Sequence, residues 1–385
     1  MNSLLDTDLY KYTMGQFVFH KWADIPVEYT FKCRNGSGIP IDMSTSKFTD
    51  MFSTALSSLC NLRHTADEIV YLKSLGKFSR DYLEFLTHLK LDRSCIDWNT
   101  LDGELHIKIR GSWIDTIWFE VPILSILSGI DSYYSEIRKW NTGKRILENK
   151  IKRIREHHFK LIDFGTRRRA SLLWHNYVID TLHTELPKDV FLGTSNLYFG
   201  KMFNIPVFGT QAHEIFMAYQ VLSPIYSHQK YLLQDWLDEF DVENAIALTD
   251  TLGIDTFLQD FDARLATEYD GCRHDSGDWA KWSSKLNLHY CNLGIDPSTK
   301  DVLFSDGLNI EKAISINECL KGIFRNIYFC IGTNLTNDCG YMPPNIVIKM
   351  TKCNGKHVAK ISDSPGKGMC ESRNYIKFLK EEVCA

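Results

Sequence analysis

His213 is the first candidate for chemistry, because of the residues around it. It lies in FGTQAHE, residues 208–214, and Met217 stands where the zinc motif H-E-x-x-H would need its second histidine. This spacing argues against a metal role. A neutral imidazole is a competent nucleophile or base near pH 7. An isolated histidine is more often structural, so only the position of His213 at a predicted strand end favours function.

Three further segments carry aspartates beside glycine, serine or threonine: LTDTLG with Asp250, RHDSGD with Arg273 and Asp275, and SDG with Asp306. A carboxylate repels phosphate unless it binds sugar hydroxyls or a magnesium ion that bridges the phosphates. Both roles fit a phosphorylated sugar. For Asp250 and Asp306, a role as turn residue or helix cap is an equally good reading of the local sequence.

Glycine recurs in the same kind of loop. Backbone N–H groups beside glycine can approach phosphate oxygens closely, and several such loops at one edge favour an anion site. The glycines are Gly165, Gly193, Gly209, Gly277, Gly307 and Gly332. In FGTRRR, Phe164 could stack on a flat ring and an arginine could grip a carboxylate or phosphate. A core phenylalanine followed by solvated arginines explains that motif equally well.

These loops follow short apolar strands and precede helices. Repeated units of this kind predict parallel strands with crossover helices, and seven of them could close a barrel whose carboxyl-terminal strand ends build the site. The seven segments are LIDFGTRR, VFLGTSN, PVFGTQAHE, IALTDTLG, GCRHDSGD, VLFSDGLN and IYFCIGTN.

Outside this series the pattern is mixed. We expect a helix over 10–21, strands over 27–32 and 104–110, and an amphipathic helix over the basic run 144–160. Residues 345–361 alternate around Asn354-Gly355, which predicts a hairpin that does not belong to the barrel.

Composition limits the classes of protein. A length of 385 residues predicts two domains, and a formal charge of −4 provides no global field for nucleic acid or an anionic membrane. None of the 11 cysteines forms a C-x-x-C pair. We expect free thiols, no signal peptide, no membrane span and a cytoplasmic protein.

The motifs together resemble one family. They are DTDLYKYTM, DFGTRRRAS, GTSNLYFGKMFNIPVFGTQAHE, LTDTLG, RHDSGD, LFSDGLN, IGTNLTND and KISDSPGK, in the family's order from residue 4 to about 376. This set is similar to nicotinate phosphoribosyltransferases of the bacterial and yeast type. The resemblance implies an α/β fold: an irregular α/β barrel of the type II phosphoribosyltransferases, residues 126–339, packed on an α/β sandwich, residues 1–125, which the region 340–385 joins.

The resemblance also implies a reaction. Nicotinate and 5-phosphoribosyl 1-diphosphate would give nicotinate mononucleotide, the first step of NAD salvage from nicotinate, with ATP as co-substrate and Mg²⁺ as cofactor. His213 would be phosphorylated. The active sites would be shared in a homodimer.

The remaining roles follow motif by motif. Phe164 and the neighbouring subunit's Tyr10 would stack on the ring, and Arg167 and Ser195 would bind the carboxylate. Arg273 and Asp275 would hold ribose, diphosphate or ring, with Asp250 and Asp275 near magnesium. Asp306, Gly307, Gly332, Thr333 and Asn334 would cradle the 5-phosphate.

Three alternatives stay open. A nicotinamide enzyme of the same fold has an aspartate where this chain has Ser195, and a neutral serine favours the acid. The quinolinate enzyme shares the barrel, but the histidine motif argues against it. A non-catalytic binding or regulatory protein would use the basic run 144–160 as its contact surface.

Overall fold

The computed structural model describes residues 2–34, 45–134, 140–209, 211–240, 245–364 and 366–384. Thr210 and Pro365, which belong to two of the motifs, lie outside the described residues. The chain is mixed α/β and contains both antiparallel and parallel strand pairs.

The strands are β1 (Pro26–Cys33), β2 (Ile96–Leu101), β3 (Glu104–Ser112), β4 (Lys160–Asp163), β5 (Phe191–Thr194), β6 (Ile246–Leu248), β7 (Gly271–His274), β8 (Asp301–Phe304), β9 (Asn326–Ile331), β10 (Ile346–Cys353) and β11 (Lys356–His357). The helices up to the middle of the chain are α1 (Leu9–Lys21), α2 (Ser46–Asn61), α3 (Ala66–Ser74), α4 (Arg80–His88), α5 (Trp113–Thr116), α6 (Glu120–Tyr134), α7 (Trp140–His157), α8 (Leu172–Glu185) and α9 (Leu197–Phe203). The others are α10 (His213–Leu222), α11 (His228–Glu239), α12 (Ile254–Asp260), α13 (Ala263–Glu268), α14 (Trp279–Asn292), α15 (Ile310–Leu320), α16 (Thr333–Thr336) and α17 (Arg373–Phe378), followed by a π-helical turn, Leu379–Val383.

The chain divides into two compact units. The first comprises Met1–Gly209 and Ile331–Lys349, and the second Thr210–Cys330 and Met350–Ala385. The sequence-based division near residue 125 stays a prediction.

The first unit contains an antiparallel arrangement in which β3 pairs with both β1 and β2. In β3, Leu105, Ile107 and Ile109 are buried, as expected for a strand with one covered face. A parallel pair, β4 with β5, brings the loops that follow these two strands to the same edge.

In the second unit, four parallel strands pair in the order β6, β7, β8, β9. The carboxyl ends of β6, β7 and β8 therefore lie side by side, and the loops carrying Asp250, Asp275 and Asp306 start there. The sequence pattern predicted this series of parallel strands correctly.

One of the seven predicted strands does not form. Residues 206–208 of PVFGTQAHE make only an isolated parallel bridge, between Thr194 and Val207. Pro206 has no N–H to donate to a ladder, although its carbonyl accepts from the Thr194 N–H. The described residues therefore contain six of the seven strands.

The other local predictions are confirmed. Leu147, Ile151 and Ile154 form the buried face of α7, so the basic run is an amphipathic helix. Asn354 and Gly355 both have positive φ, 48° and 72°, as the hairpin turn between β10 and β11 requires.

Among the described residues, one segment, Trp113–Tyr134, is long and apolar enough to be a candidate membrane span by length and composition. Of its most apolar window, 83% is buried inside the fold. The 11 cysteines are all free thiols.

Candidate active site

The second unit brings four charged or titratable side chains into contact, here called the His213 cluster: His213, Asp250, Asp275 and Lys360. His213 is the first residue of α10, and its Nε2 lies 2.8 Å from Asp250 Oδ1 and 3.5 Å from Asp275 Oδ2. Lys360 Nζ lies 2.6 Å from the same Nε2 and 2.7 Å from Asp250 Oδ2. The two aspartates follow β6 and β7, so the parallel sheet positions both.

The surroundings hold His213 neutral and the aspartates ionised. Burial, reinforced by the Lys360 ammonium, lowers the pKa of His213 to about 4. Burial alone would raise the pKa of the Asp250 carboxyl, but Lys360 and His213 bring it well below its usual value. Burial likewise opposes ionisation of Asp275, yet Arg273 leads the contacts that lower its pKa to about 2. At pH 7 the cluster is a neutral imidazole between two carboxylates and an ammonium.

Three donor atoms of this cluster could hold a metal ion. One atom each from His213, Asp250 and Asp275 lies within 4.8 Å of the others. Asp250 is fully buried and already engages Lys360, His213 and the Ser276 hydroxyl, which donates to it at 2.6 Å. The Asp275 side chain is 26% exposed and accepts from the Ser305 hydroxyl through Oδ1. Asp275 is therefore the better placed of the two carboxylates for a cation that arrives with a ligand.

The other predicted residues of the second unit surround the same strand ends. Arg273 lies on β7 and its Nη1 donates to the Gln211 carbonyl at 3.2 Å. Asp306 follows β8 and forms an ion pair with Lys367. Gly307 has φ +54°, a conformation that favours glycine. The second unit thus groups these residues at the ends of neighbouring strands and helices: His213, Asp250, Arg273, Asp275, Asp306 and Gly307.

The first unit places Arg167 beside the Tyr10 ring, with the guanidinium carbon 5.9 Å from the ring centroid. Behind them, buried Glu120 contacts three cations: Lys11 at 2.8 Å, Lys349 at 3.4 Å and Arg167 at 3.8 Å. Burial would raise the pKa of Glu120, but these cations lower it overall. Three cations to one carboxylate leave positive charge beside a ring face. This arrangement suits an aromatic acid.

Phe164 and Gly165 follow β4 in a loop that Asp163 holds. The Asp163 carboxylate accepts from the Gly165 N–H at 2.9 Å and from the Thr194 hydroxyl at 2.7 Å, and it pairs with His175 at 2.8 Å. Gly165 has no room for a side chain, since a Cβ there would lie 2.1 Å from the methyl of Thr336. The loop that carries Phe164 is therefore fixed by packing and hydrogen bonds.

Ser195, the predicted carboxylate contact, is 1% exposed and donates its hydroxyl to Asp8 Oδ1 at 2.7 Å. Burial raises the pKa of the Asp8 carboxyl, and Arg167 counteracts this. The neutral serine thus has an acidic residue directly behind it, which the sequence reading did not anticipate.

Gly332, Thr333 and Asn334 form the start of α16 in the first unit. A Cβ on Gly332 would lie 2.8 Å from the Phe164 carbonyl oxygen. Lys150 donates to the Asn334 carbonyl and pairs with Asp338 at 2.5 Å. This short turn therefore has glycine at a close backbone approach, and the neighbouring Lys150 is already paired with Asp338.

Sequence reasoning missed three residues of these clusters: Lys360, Asp8 and Glu120. Lys360 begins KISDSPGK and Asp8 lies in DTDLYKYTM, so both stood in quoted motifs without a role. Glu120 had no such signal, since only the fold places it against Arg167.

The family model described as "Nicotinate phosphoribosyltransferase (NAPRTase) family" matches residues 159–385, and that of the NAPRTase N-terminal domain matches residues 5–128. A nicotinate phosphoribosyltransferase from Xanthomonas euvesicatoria is 41% identical over 387 residues, covering 99% of this chain and 97% of the relative. One from Acinetobacter baumannii is 40% identical over 395 residues, with coverage of 99% and 96%.

Solved structures agree. The crystal structure of nicotinate phosphoribosyltransferase from Vibrio cholerae has a TM-score of 0.92 and 38% identity, covering 98% of this chain and 93% of that one. That of a putative nicotinate phosphoribosyltransferase from Saccharomyces cerevisiae has a TM-score of 0.92 and 32% identity, covering 100% and 98%. The expected fold class is confirmed, and the chain belongs to the nicotinate phosphoribosyltransferase family.

Proposed function

We propose that this protein transfers a phosphoribosyl group from 5-phosphoribosyl 1-diphosphate to nicotinate, coupled to ATP through a phosphohistidine at His213. The products are nicotinate mononucleotide and pyrophosphate, and the step opens NAD salvage from nicotinate. Family membership supports the transfer. The observation that carries the ATP coupling is the buried, neutral His213 in contact with Lys360 and Asp250.

The transfer step needs charge control more than acid–base chemistry. As the bond between the anomeric carbon and pyrophosphate breaks, negative charge grows on the leaving group and positive charge on the ribose. Arg273 would offset the first, and the carboxylate of Asp275 would offset the second. The pyridine nitrogen of nicotinate then forms the new bond to the anomeric carbon. Phe164 and Tyr10 would hold the ring, with Arg167 at its carboxylate.

The ATP step uses the His213 cluster. A neutral ring nitrogen of His213 attacks the γ-phosphorus, ADP leaves, and water later hydrolyses the phosphohistidine to phosphate. The Lys360 ammonium, held at the imidazole, offsets the charge of the phosphoryl group as it arrives. Asp250 keeps both partners in place. Phosphate on His213 would then change the affinity for the other substrates, so that its hydrolysis drives the transfer forward.

Magnesium at Asp250 and Asp275 is part of the proposal. Carboxylate oxygens are the right donors, and Asp275 is exposed enough to meet a metal that arrives with the diphosphate. Asp250 fits less well while Lys360 holds its Oδ2. When bound, Mg²⁺ supplies positive charge to phosphate oxygens.

A mass measurement tests the ATP step. After incubation with ATP and Mg²⁺, the peptide carrying His213 should gain one acid-labile phosphate, and His213→Asn should lose both this phosphate and the stimulation by ATP while retaining slow transfer. His228→Asn is the matched control, because His228 is also buried with a pKa lowered to about 4, but within the described part of the chain its ring bonds only to the Ile225 carbonyl. ATP stimulation that survives in His213→Asn would refute the assignment.

Nicotinamide is the second candidate substrate, and the position of Asp8 favours it. The Ser195 hydroxyl donates to Asp8 Oδ1 at 2.7 Å, which leaves the serine oxygen free to accept a hydrogen bond from an amide N–H, whereas the cations around Glu120 favour the acid. We propose nicotinate, because three cations outnumber the two carboxylates Glu120 and Asp8, and the pKa of Asp8 is raised. Faster turnover of nicotinamide than of nicotinate at equal concentration would reverse this choice.

A homodimer with shared sites and a cytoplasmic location complete the proposal. In this structure Tyr10 lies beside Arg167 of its own chain, so a contribution of Tyr10 across a dimer interface needs its own test. Mixing inactive Tyr10→Ala and Arg167→Ala variants should restore activity only if the two residues act from different subunits.

A further inference from the structure

Lys360 lies in a short segment, residues 358–361, here called the Lys360 segment, in which it forms an isolated antiparallel bridge with Met369. Side chains in an extended chain alternate between faces. Ala359 and Ile361, on either side of Lys360, pack into an apolar cluster with Leu252, Leu379 and Val383. Lys360 reaches His213 instead, with Nζ 2.6 Å from Nε2. The apolar face of the segment therefore determines where its ammonium lies.

Gln220 holds this segment from the helix that begins with His213. The two residues are seven positions apart on α10, so they share one face of the helix about two turns apart. The Gln220 amide donates to the Ala359 carbonyl at 2.7 Å and accepts from the Ala359 N–H at 2.9 Å. Gln220 is 5% exposed, so these bonds form away from water. Its amide thus pairs with both backbone groups of the residue preceding Lys360.

The carboxyl-terminal helix reaches the same point. The Tyr375 hydroxyl, on α17, donates to Gln220 Oε1 at 3.2 Å. Leu379 and Val383, in the π-helical turn that follows, cover Ala359. Beyond Lys360, the segment is held by its backbone, since the N–H of Lys360 donates to the Met369 carbonyl and that of Ile361 to the Thr251 carbonyl. Gln220 therefore joins α10 to this arrangement at a second point, besides the contact between His213 and Lys360.

We propose that Gln220 is a positioning residue for the His213 cluster, and that with Tyr375 it makes the carboxyl-terminal helix a support for the Lys360 ammonium at His213. The proposal deepens the proposed function and rests on it. Gln220 touches no reacting atom. It acts by fixing the distance between the helix that begins with His213 and the segment that carries Lys360.

The test compares Gln220→Met with Gln229→Met. Methionine keeps the length of the side chain and removes the amide. Gln229 is 0% exposed, and neither side-chain atom has a hydrogen-bond partner in the described structure, so its substitution reproduces the chemical change without touching the segment. Tyr375→Phe removes only the hydroxyl from a half-buried residue. This variant replaces Gln220→Met in the test if Gln220→Met does not fold.

Two measurements separate positioning from general destabilisation. The first is amide hydrogen exchange at Lys360 and Ile361, whose own hydrogen bonds do not involve Gln220. The second is the yield of phosphohistidine at subsaturating ATP, set against the rate of transfer without ATP. We expect Gln220→Met to speed exchange at both amides and to lower the phosphohistidine yield about tenfold, as the loss of two buried hydrogen bonds implies, with ATP-independent transfer nearly unchanged. Tyr375→Phe should give a smaller change of the same kind, and Gln229→Met none.

The outcomes distinguish the two proposals. If folded Gln220→Met shows the wild-type rate of amide exchange or the wild-type yield of phosphohistidine, Gln220 has no positioning role. The same conclusion follows if the variant loses equal fractions of the transfer rate with ATP and without ATP. If the wild-type protein itself acquires no phosphate, the proposed ATP step fails, and the positioning of the segment is judged by hydrogen exchange alone.

Discussion

Replacement of Lys360 by methionine should strongly destabilise the protein, because it leaves Asp250 charged and buried. The side chains of Lys360 and Asp250 are 6% and 0% exposed, and their atoms lie 2.7 Å apart. Removing one partner of a buried ion pair costs about 3–5 kcal/mol of the free energy of unfolding. Lys285→Met is the matched control: its pair with Asp255 is just as short, 2.6 Å, but 44% and 73% exposed, so it should cost at most about 1 kcal/mol.

A double-mutant cycle tests the reasoning behind this number. Asp250→Asn alone should also be costly, because it leaves the Lys360 ammonium buried. The double variant should cost less than the sum of the two single variants, with a coupling of about 2–3 kcal/mol in denaturant unfolding. Additive losses, or a Lys360→Met cost as small as that of Lys285→Met, would show that the pair does not hold the cluster together.

Three further predictions concern the same two units. The pKa of His213 is lowered to about 4, so its neutral form persists as the pH falls. Phosphohistidine formation measured from pH 8 down to 4 should therefore decline with an apparent pKa near 4. A midpoint near 6.5 would contradict the burial argument. Gly193→Ala should lower the free energy of unfolding by about 1–3 kcal/mol, since a Cβ would lie 2.0 Å from a backbone carbonyl oxygen. Gly129 lies in a helix with open space around it, so Gly129→Ala should raise the free energy of unfolding by about 0.5–1 kcal/mol. Glu120→Gln should lower the free energy of unfolding by about 3–5 kcal/mol in denaturant, because it leaves Lys11 charged at 0% exposure. In steady-state kinetics it should raise KM for nicotinate more than it lowers kcat. An unchanged KM would show that Glu120 does not influence substrate binding.

The fold class could be predicted from sequence because its signals are local. Short apolar strands that end in glycine and aspartate, followed by helical periods, specify parallel units one at a time, and Asn354-Gly355 specifies its own hairpin turn. The one predicted strand that does not form, residues 206–208, contains Pro206. Whether such a segment pairs as a strand depends on the hydrogen bonds that the neighbouring strand can still make beside a proline. That is a property of the pairing and not of the segment.

The sequence motifs were sufficient to predict several residues that belong to the candidate site. The motifs predict His213, Asp250 and Asp275 as strand-end residues, and the three do lie together. The parallel sheet positions the two aspartates, whereas His213 comes from the start of α10, because the strand predicted before it does not form. Their electrostatics could not be predicted, since the pKa of His213 depends on burial and on Lys360, which is 147 positions away in the chain. Ser195 illustrates the same limit, because its neutral side chain was visible in the sequence but the Asp8 carboxylate behind it was not.

The sequence by itself determined which residues are available for chemistry and which strand ends carry them, because hydrophobic period, glycine and turn chemistry act over a few neighbouring positions. Only the tertiary structure decided which charges meet. Lys360 pairs with Asp250, and Glu120 collects Lys11, Lys349 and Arg167, because burial in a low-dielectric interior makes an unpaired charge too costly to keep.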